Sequence, residues 1–322
     1  MKRIYIGLVV LVFSVFLFTG VCFAIDTGDV PKGHYKIGIS AIGIDHLGDA
    51  TVYNAAIARV KQLGGVPIAV EAERKDEKMV TDLENLITSG VDGIVVYIGN
   101  QQILEPVFKK IHDAGIPITT VSHPSVYSLC NVASNEFTMS TDVVEYMVQD
   151  LNYKGQYAFF WAWDGIRLAE IRKHMLDEIL IDFPEIKRVG TYPEKIPGTV
   201  AAAMSTIESV LMQYPDLSAV YAVWDQPLIG ADKAIRAAGK AKQVKCYGID
   251  APDLLIEMAK PGSSIAGVSS QDYVGTANAA VDMLFRHLAG QKVPRQVLLP
   301  TKLVTQANVK DVLKDLGIKP VQ

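Results

Sequence analysis

From residue 35 onward, short apolar runs alternate with stretches whose apolar positions recur every three to four residues. Residues 35–40 (YKIGIS) read as a strand. Val52, Ala56, Val60 and Leu63 then share one face of a helix over 50–63, which Gly64-Gly65 stops. Residues 66–70 form the next strand, and Met79, Val80, Leu83, Leu86 and Ile87 line a helix that Gly90 ends. Residues 93–98 are apolar throughout, as in a strand buried on both faces. A helix over 104–114 and a strand over 116–121 close the first series. The second half repeats the rhythm, with strands at 156–163, 188–192, 219–224, 244–249 and 265–269. Helices are predicted over 165–180, 200–213, 228–238 and 274–288.

This alternation predicts an α/β protein of two similar, doubly wound parallel-sheet lobes, with no low-complexity linker between them. Open sheets of this kind bind ligands beyond the carboxyl ends of their strands. In the first half those loops carry Asp45, His46 and Asp49, then Asn100, Gln101 and Gln102, then Ser122 and His123. In the second half three strands end in an aspartate, as Trp163-Asp164, Trp224-Asp225 and Ile249-Asp250. Arg172 lies about two turns into the helix after Asp164.

Carboxylates accept hydroxyl protons, a guanidinium donates in a fixed fork, and aromatic rings pack on C–H faces, so the set suits a sugar or polyol. A strand-end aspartate also serves as the N-cap of the next helix, and at Asp225 the two readings stand even. His46 and His123 read equally as hydrogen-bonding loop residues. Trp161 alternates with Trp163 and points to the opposite face, into the core. His112, His174 and His287 fall inside helical patterns.

Composition narrows the class. The 322 residues are 49% hydrophobic, ample for a packed core in two domains or one large one, and the net charge of −4 comes with no long basic stretch. Nucleic-acid binding therefore has no electrostatic footprint. Lys2 and Arg3 precede an apolar run over 4–18, a Thr19-Gly20 break and Cys22-Phe23-Ala24, the layout of a signal peptide cut after Ala24. The rival is a retained membrane anchor, and Val21 before Cys22 speaks against lipid attachment. Cleavage would take the charge from −4 to −4 − 2 = −6.

Cys130 and Cys246 then remain; export permits a disulfide, but two separate buried thiols are expected. Gly38, Gly43 and Gly48 lack dinucleotide-binding spacing, and no P-loop, nucleophile elbow or zinc motif is present. An NAD-dependent dehydrogenase is thus a remote alternative, and neither catalysis nor a cofactor is expected. A metal-binding role for a converging His46, Asp49 and His123 is an alternative with a weak signal, because tight His or Cys spacing is missing and hydroxyl binding explains the same residues.

Several segments resemble the ribose and galactose class of type I periplasmic sugar-binding proteins. They are 214–225 (YPDLSAVYAVWD) with 229–239 (IGADKAIRAAG), 247–250 (YGID) with 265–269 (IAGVS), 115–121 (GIPITTV) and 133–135 (ASN). The resemblance covers essentially the whole mature chain. It implies the periplasmic solute-binding component of an ABC importer, closing by a hinge at three crossings near Ser134-Asn135, Ser270-Gln271 and Leu299-Pro300. The lobes would then be 34–134 with 271–298, and 135–270 with 299–322. It implies ligand roles for His46, Asp49, Ser122, His123, Arg172, Trp224, Asp250 and Ser269, and Trp163, Asp164, Asp225 and Gln271 complete the expected set.

Three departures disfavour ribose itself: His46 replaces a usual Asn, Ser122-His123 replaces an Asp-Arg pair, and Trp224 replaces a common Asn. The expected ligand is a neutral pentose, hexose or sugar alcohol. The expected partner is the membrane permease, with the protein acting as a monomer. A binding protein serving a chemoreceptor or sensor would look the same in sequence, and a nucleoside, a furanone signal or a cationic compound are the alternative solutes. Asp250→Ala and Arg172→Ala are each expected to abolish most binding and leave folding intact. A sugar-responsive repressor would need a basic helix-turn-helix of about sixty residues, and only residues 25–34 lie between the leader and the first strand.

Overall fold

The computed structural model describes residues 29–161, 165–196, 198–250, 252–316 and 318. The predicted leader, Trp163 and Asp164 lie outside the described residues.

The first series builds β1 (Lys36–Ala41), α1 (Leu47–Gln62), β2 (Val66–Glu71), α2 (Asp76–Thr88), β3 (Gly93–Tyr97), α3 (Gln101–Asp113), β4 (Ile118–Val121) and β5 (Cys130–Ser134). After α4 (Glu136–Asp150) the second series runs β6 (Gly155–Trp161), α5 (Arg167–Ile179), β7 (Ile186–Pro193), α6 (Thr199–Gln213), β8 (Leu217–Ala222) and α7 (Asp225–Ala237). It continues through β9 (Lys245–Ile249), α8 (Asp253–Met258) and β10 (Ile265–Ser270), and α9 (Tyr273–Leu288), β11 (Gln296–Leu299), β12 (Lys302–Thr305) and α10 (Val309–Asp315) close the chain.

Two six-stranded sheets result, ordered β11-β5-β4-β3-β1-β2 and β12-β10-β9-β8-β6-β7. Every pairing in the first is parallel. The second departs from the wholly parallel expectation, because β12 runs antiparallel to β10. The cause is connectivity: β11 belongs to the first sheet and β12 to the second, so the chain crosses at Pro300-Thr301 and enters the second sheet at the carboxyl ends of its parallel strands. The strands at the centre of each sheet are buried along their length, as their apolar runs require.

The helix α4 has no counterpart in the sequence reading. Met139, Val143, Met147 and Val148 form its buried face, yet Phe137 on the other side is 54% exposed, which blurs the stripe. Asn135 caps it, its Oδ1 accepting from Thr138 N at 3.2 Å. Cys130 and Cys246 are free and buried, on β5 and β9.

Candidate functional site

At the carboxyl ends of β1 and β8, one residue of each lobe meets the other. His46, just before α1, lies with Nε2 at 3.0 and 3.1 Å from the two carboxylate oxygens of Asp225, the first residue of α7. Trp224 occupies the N-cap position with no side-chain capping bond, so Asp225 spends its carboxylate on the opposite lobe rather than on its own helix. The Trp224 ring stands edge-on to the His46 ring, with centroids 5.6 Å apart.

Asp49, one turn into α1, accepts from Arg74 Nη2 at 2.5 Å and from the Tyr97 hydroxyl at 2.7 Å, and His46 Nδ1 lies 3.6 Å away. Burial alone would push the His46 imidazolium down, but its bonds to Asp225 and Asp49 prevail and push it up to about 11. Burial also works against the Asp49 carboxylate, yet His46 and Arg74 hold it below the usual range. His46 is therefore an imidazolium clamped between two carboxylates.

The second cluster is centred on Arg172, 1% exposed on α5. Its Nε and Nη2 donate to Glu136 at 2.7 and 3.3 Å, and its Nη1 donates to the Val223 carbonyl at 2.7 Å and to Asp250 at 3.3 Å. Asp250 follows β9 with φ of 85°, a strained left-handed conformation for a residue with a side chain. Its other oxygen accepts from Gln271 Nε2 at 2.5 Å, and Gln271 Oε1 accepts from Ser134 Oγ at 3.0 Å. Gln271 thereby ties two of the chain crossings to the Asp250 carboxylate.

Both clusters wall one inter-lobe cavity, lined by His46, Asp49, Tyr97, Arg172, Trp224, Asp250, Gln271 and Tyr273, among others. The Tyr273 hydroxyl is buried with no hydrogen-bond partner. His46, Arg74 and Trp224 separate this chamber from a wider mouth that Thr199, Met204 and Gln226 also line. The lobes touch again at the rim, where Gln101 N donates to the Gly165 carbonyl at 3.4 Å.

Of the expected site residues, His46, Asp49, Arg172, Trp224, Asp250 and Gln271 line the chamber, and Asp225 stands directly behind His46. Three do not come to it. His123 is turned inward: its ring packs edge-on against Phe108 at 5.0 Å, its backbone N–H donates to Asn131, and burial pushes it down to about 4. Ser122 lines a separate cavity with Asn131, Ser134 and Glu136, beside the crossings. Ser269 is fully buried on β10, its Oγ without a partner. Asn100, one of the loop amides, is consumed as the cap of α3.

Glu136, Arg74, Tyr97 and Tyr273 were missed. Arg74 and Tyr97 sit at carboxyl ends of strands, where the search rule applied, and Glu136 follows the crossing at Asn135 directly.

Comparison with known proteins agrees with this architecture. Residues 37–292 match the family model described as a periplasmic binding protein domain. The chain is 27% identical over 286 residues to a putative rhizopine-binding protein of Rhizobium meliloti, covering 85% of this chain and 91% of that protein. A solute-binding protein of an ABC transporter from Agrobacterium vitis, solved with bound allitol, is 33% identical with a TM-score of 0.83, over 88% of this chain and 99% of that one. An ABC sugar transporter subunit from Rhodobacter sphaeroides is 35% identical with a TM-score of 0.82, over 85% and 99%. With a family match across most of its length and relatives above 30% identity over nearly their whole chains, this chain belongs to the periplasmic binding protein family.

Proposed function

We propose that the chain is the solute-binding component of an ABC importer and holds a sugar or sugar alcohol between its lobes. The observation that carries this reading is the inter-lobe cavity, walled by paired donors and acceptors and one indole. A polyol presents hydroxyls that donate and accept on its edge and C–H groups on its faces. Asp250, Asp49, Arg172, Gln271 and the unpartnered Tyr273 hydroxyl answer the first, and Trp224 the second. The allitol bound to the Agrobacterium vitis relative supports the solute class.

In this reading the chain is exported, its leader is cut after Ala24, and it works in the periplasm as a monomer. It delivers its solute to a membrane permease and catalyses no reaction. Trp163 and Asp164 stay in the proposed ligand set on the sequence pattern alone. The proposed lobes are 34–134 with 271–298, and 135–270 with 299–322; the membership of β11 and β12 in different sheets supports that division.

Calorimetric titration of wild type and Asp250→Ala with allitol, allose, ribose and myo-inositol tests the site. The variant should lose at least thirtyfold in affinity for whichever polyol wild type binds, since a buried charged partner is worth roughly 2–5 kcal/mol. Unchanged affinity would remove Asp250 from the site.

A further inference from the structure

His46 and Asp225 touch across the cleft, at a distance that leaves no room for a solute between them. His46 leads into α1 of the first lobe, and Asp225 opens α7 of the second. His46 Nε2 faces both carboxylate oxygens, at 3.0 and 3.1 Å, and the two side chains are 7% and 0% exposed. Asp225 lies outside the walls of the cavity, so a solute need not touch it.

The charges on the two sides tie this contact to closure. Asp225 stands near like charges of its own lobe, Asp250 and Asp253. Asp250 is ion-paired with Arg172 within that lobe, whereas the cation that meets Asp225 comes from the other one. Separating the lobes would return both partners to water, which offsets part of the lost attraction. Contact is favoured because the first-lobe partner is set in advance. Arg74 and Tyr97 hold Asp49, and Asp49 faces His46 Nδ1 at 3.6 Å, so little orientational freedom is lost when the lobes meet. Trp224 of the second lobe then packs edge-on against the same imidazole.

We propose that His46 and Asp225 form a latch between the lobes that keeps the solute-free protein predominantly closed. Solute then enters through the minor open population, and entry is slowed in proportion to that fraction. The latch needs no particular solute, so the inference stands apart from the polyol reading.

The test is the distance between the lobes in the empty protein. The protein is stripped of carried-over solute by dialysis from guanidinium, refolded, and labelled with nitroxides at Gln102→Cys on the first lobe and Lys195→Cys on the second, both exposed positions. Cys130 and Cys246 are buried and stay unlabelled. Pulsed electron spin resonance should find one short distance dominant with the native pair. Asp225→Asn and His46→Gln should each lower the closed-to-open ratio at least about tenfold, since both remove a partner from a buried charge pair. The double variant should fall no further than the larger single one. Asp253→Asn, which neutralises a neighbour outside the pair, should change the ratio less than about twofold. The wild-type distribution with either single variant decides, should the other fail to fold. A predominantly open wild type overturns the latch. So does a ratio that neither substitution moves, or one that Asp253→Asn lowers as far.

Discussion

Arg172 has two obligations at once, and the structure separates them. It reaches the chamber, and among the described residues it is also the guanidinium that binds Glu136, whose carboxyl burial pushes up despite those two bonds. Arg172→Ala would strand that carboxylate, so we expect a loss of about 3–5 kcal/mol in folding stability as well as loss of binding. The sequence alone, in which Glu136 and Arg172 lie 36 residues apart, predicts untouched folding, and the ion pair corrects it. Denaturant unfolding checks it, and wild-type stability in the variant would show that Glu136 finds another partner.

His46 gives a pH signature of the cross-lobe pair. Its folded value of about 11 lies above the ordinary 6.5, so its stabilising contribution is complete below pH 6.5 and fades as pH rises toward 11. The stability difference between wild type and His46→Gln should therefore shrink between pH 6.5 and pH 9.5. A difference that stays flat over that range would mean that His46 is neutral and the ion pair with Asp225 is not formed.

At the scale of elements, α6 and α7 pack with almost no space between them. A Cβ on Gly230 would fall 2.3 Å from the Val200 carbonyl oxygen, a backbone atom that cannot swing aside. Gly230→Ala should therefore cost about 1–3 kcal/mol by overpacking, read as a lowered unfolding midpoint. A neutral result would show that the two helices slide apart freely.

The same scale explains what was legible in the sequence. Strands buried on both faces must be apolar throughout, so β3, β4 and β8 declared themselves, and helices with one wet face showed their period. The helix α4 did not, because Phe137 breaks the polar side of its pattern, and Glu136 stayed hidden with it. Arg74 lies in the charged turn Glu71-Ala72-Glu73-Arg74, which reads as a solvated loop until Asp49 is brought to it. His123 looked as exposed as His46 in the sequence; only the packing of Phe108 decides that one ring turns inward and the other toward the opposite lobe.

On the scale of the whole molecule, two lobes joined at several crossings meet over a small chamber, and hinge motion about those crossings is the natural way in and out. Gln271 is placed to report occupancy to the hinge, since one amide touches both Asp250 and Ser134. Solute held in such a closed space gains from every satisfied group and loses for each one left unpaired, which is how isomers are told apart.

The most direct test of the central claim is thermal unfolding of the protein against a panel of sugars, sugar alcohols, amino acids and nucleosides. A true ligand at a hundred times its dissociation constant adds about 2.7 kcal/mol of stability, a clear rise in midpoint. The account predicts such a rise with one polyhydroxylated compound and none with its epimers. A rise confined to amino acids or nucleosides would keep the fold and contradict the reading of the chamber.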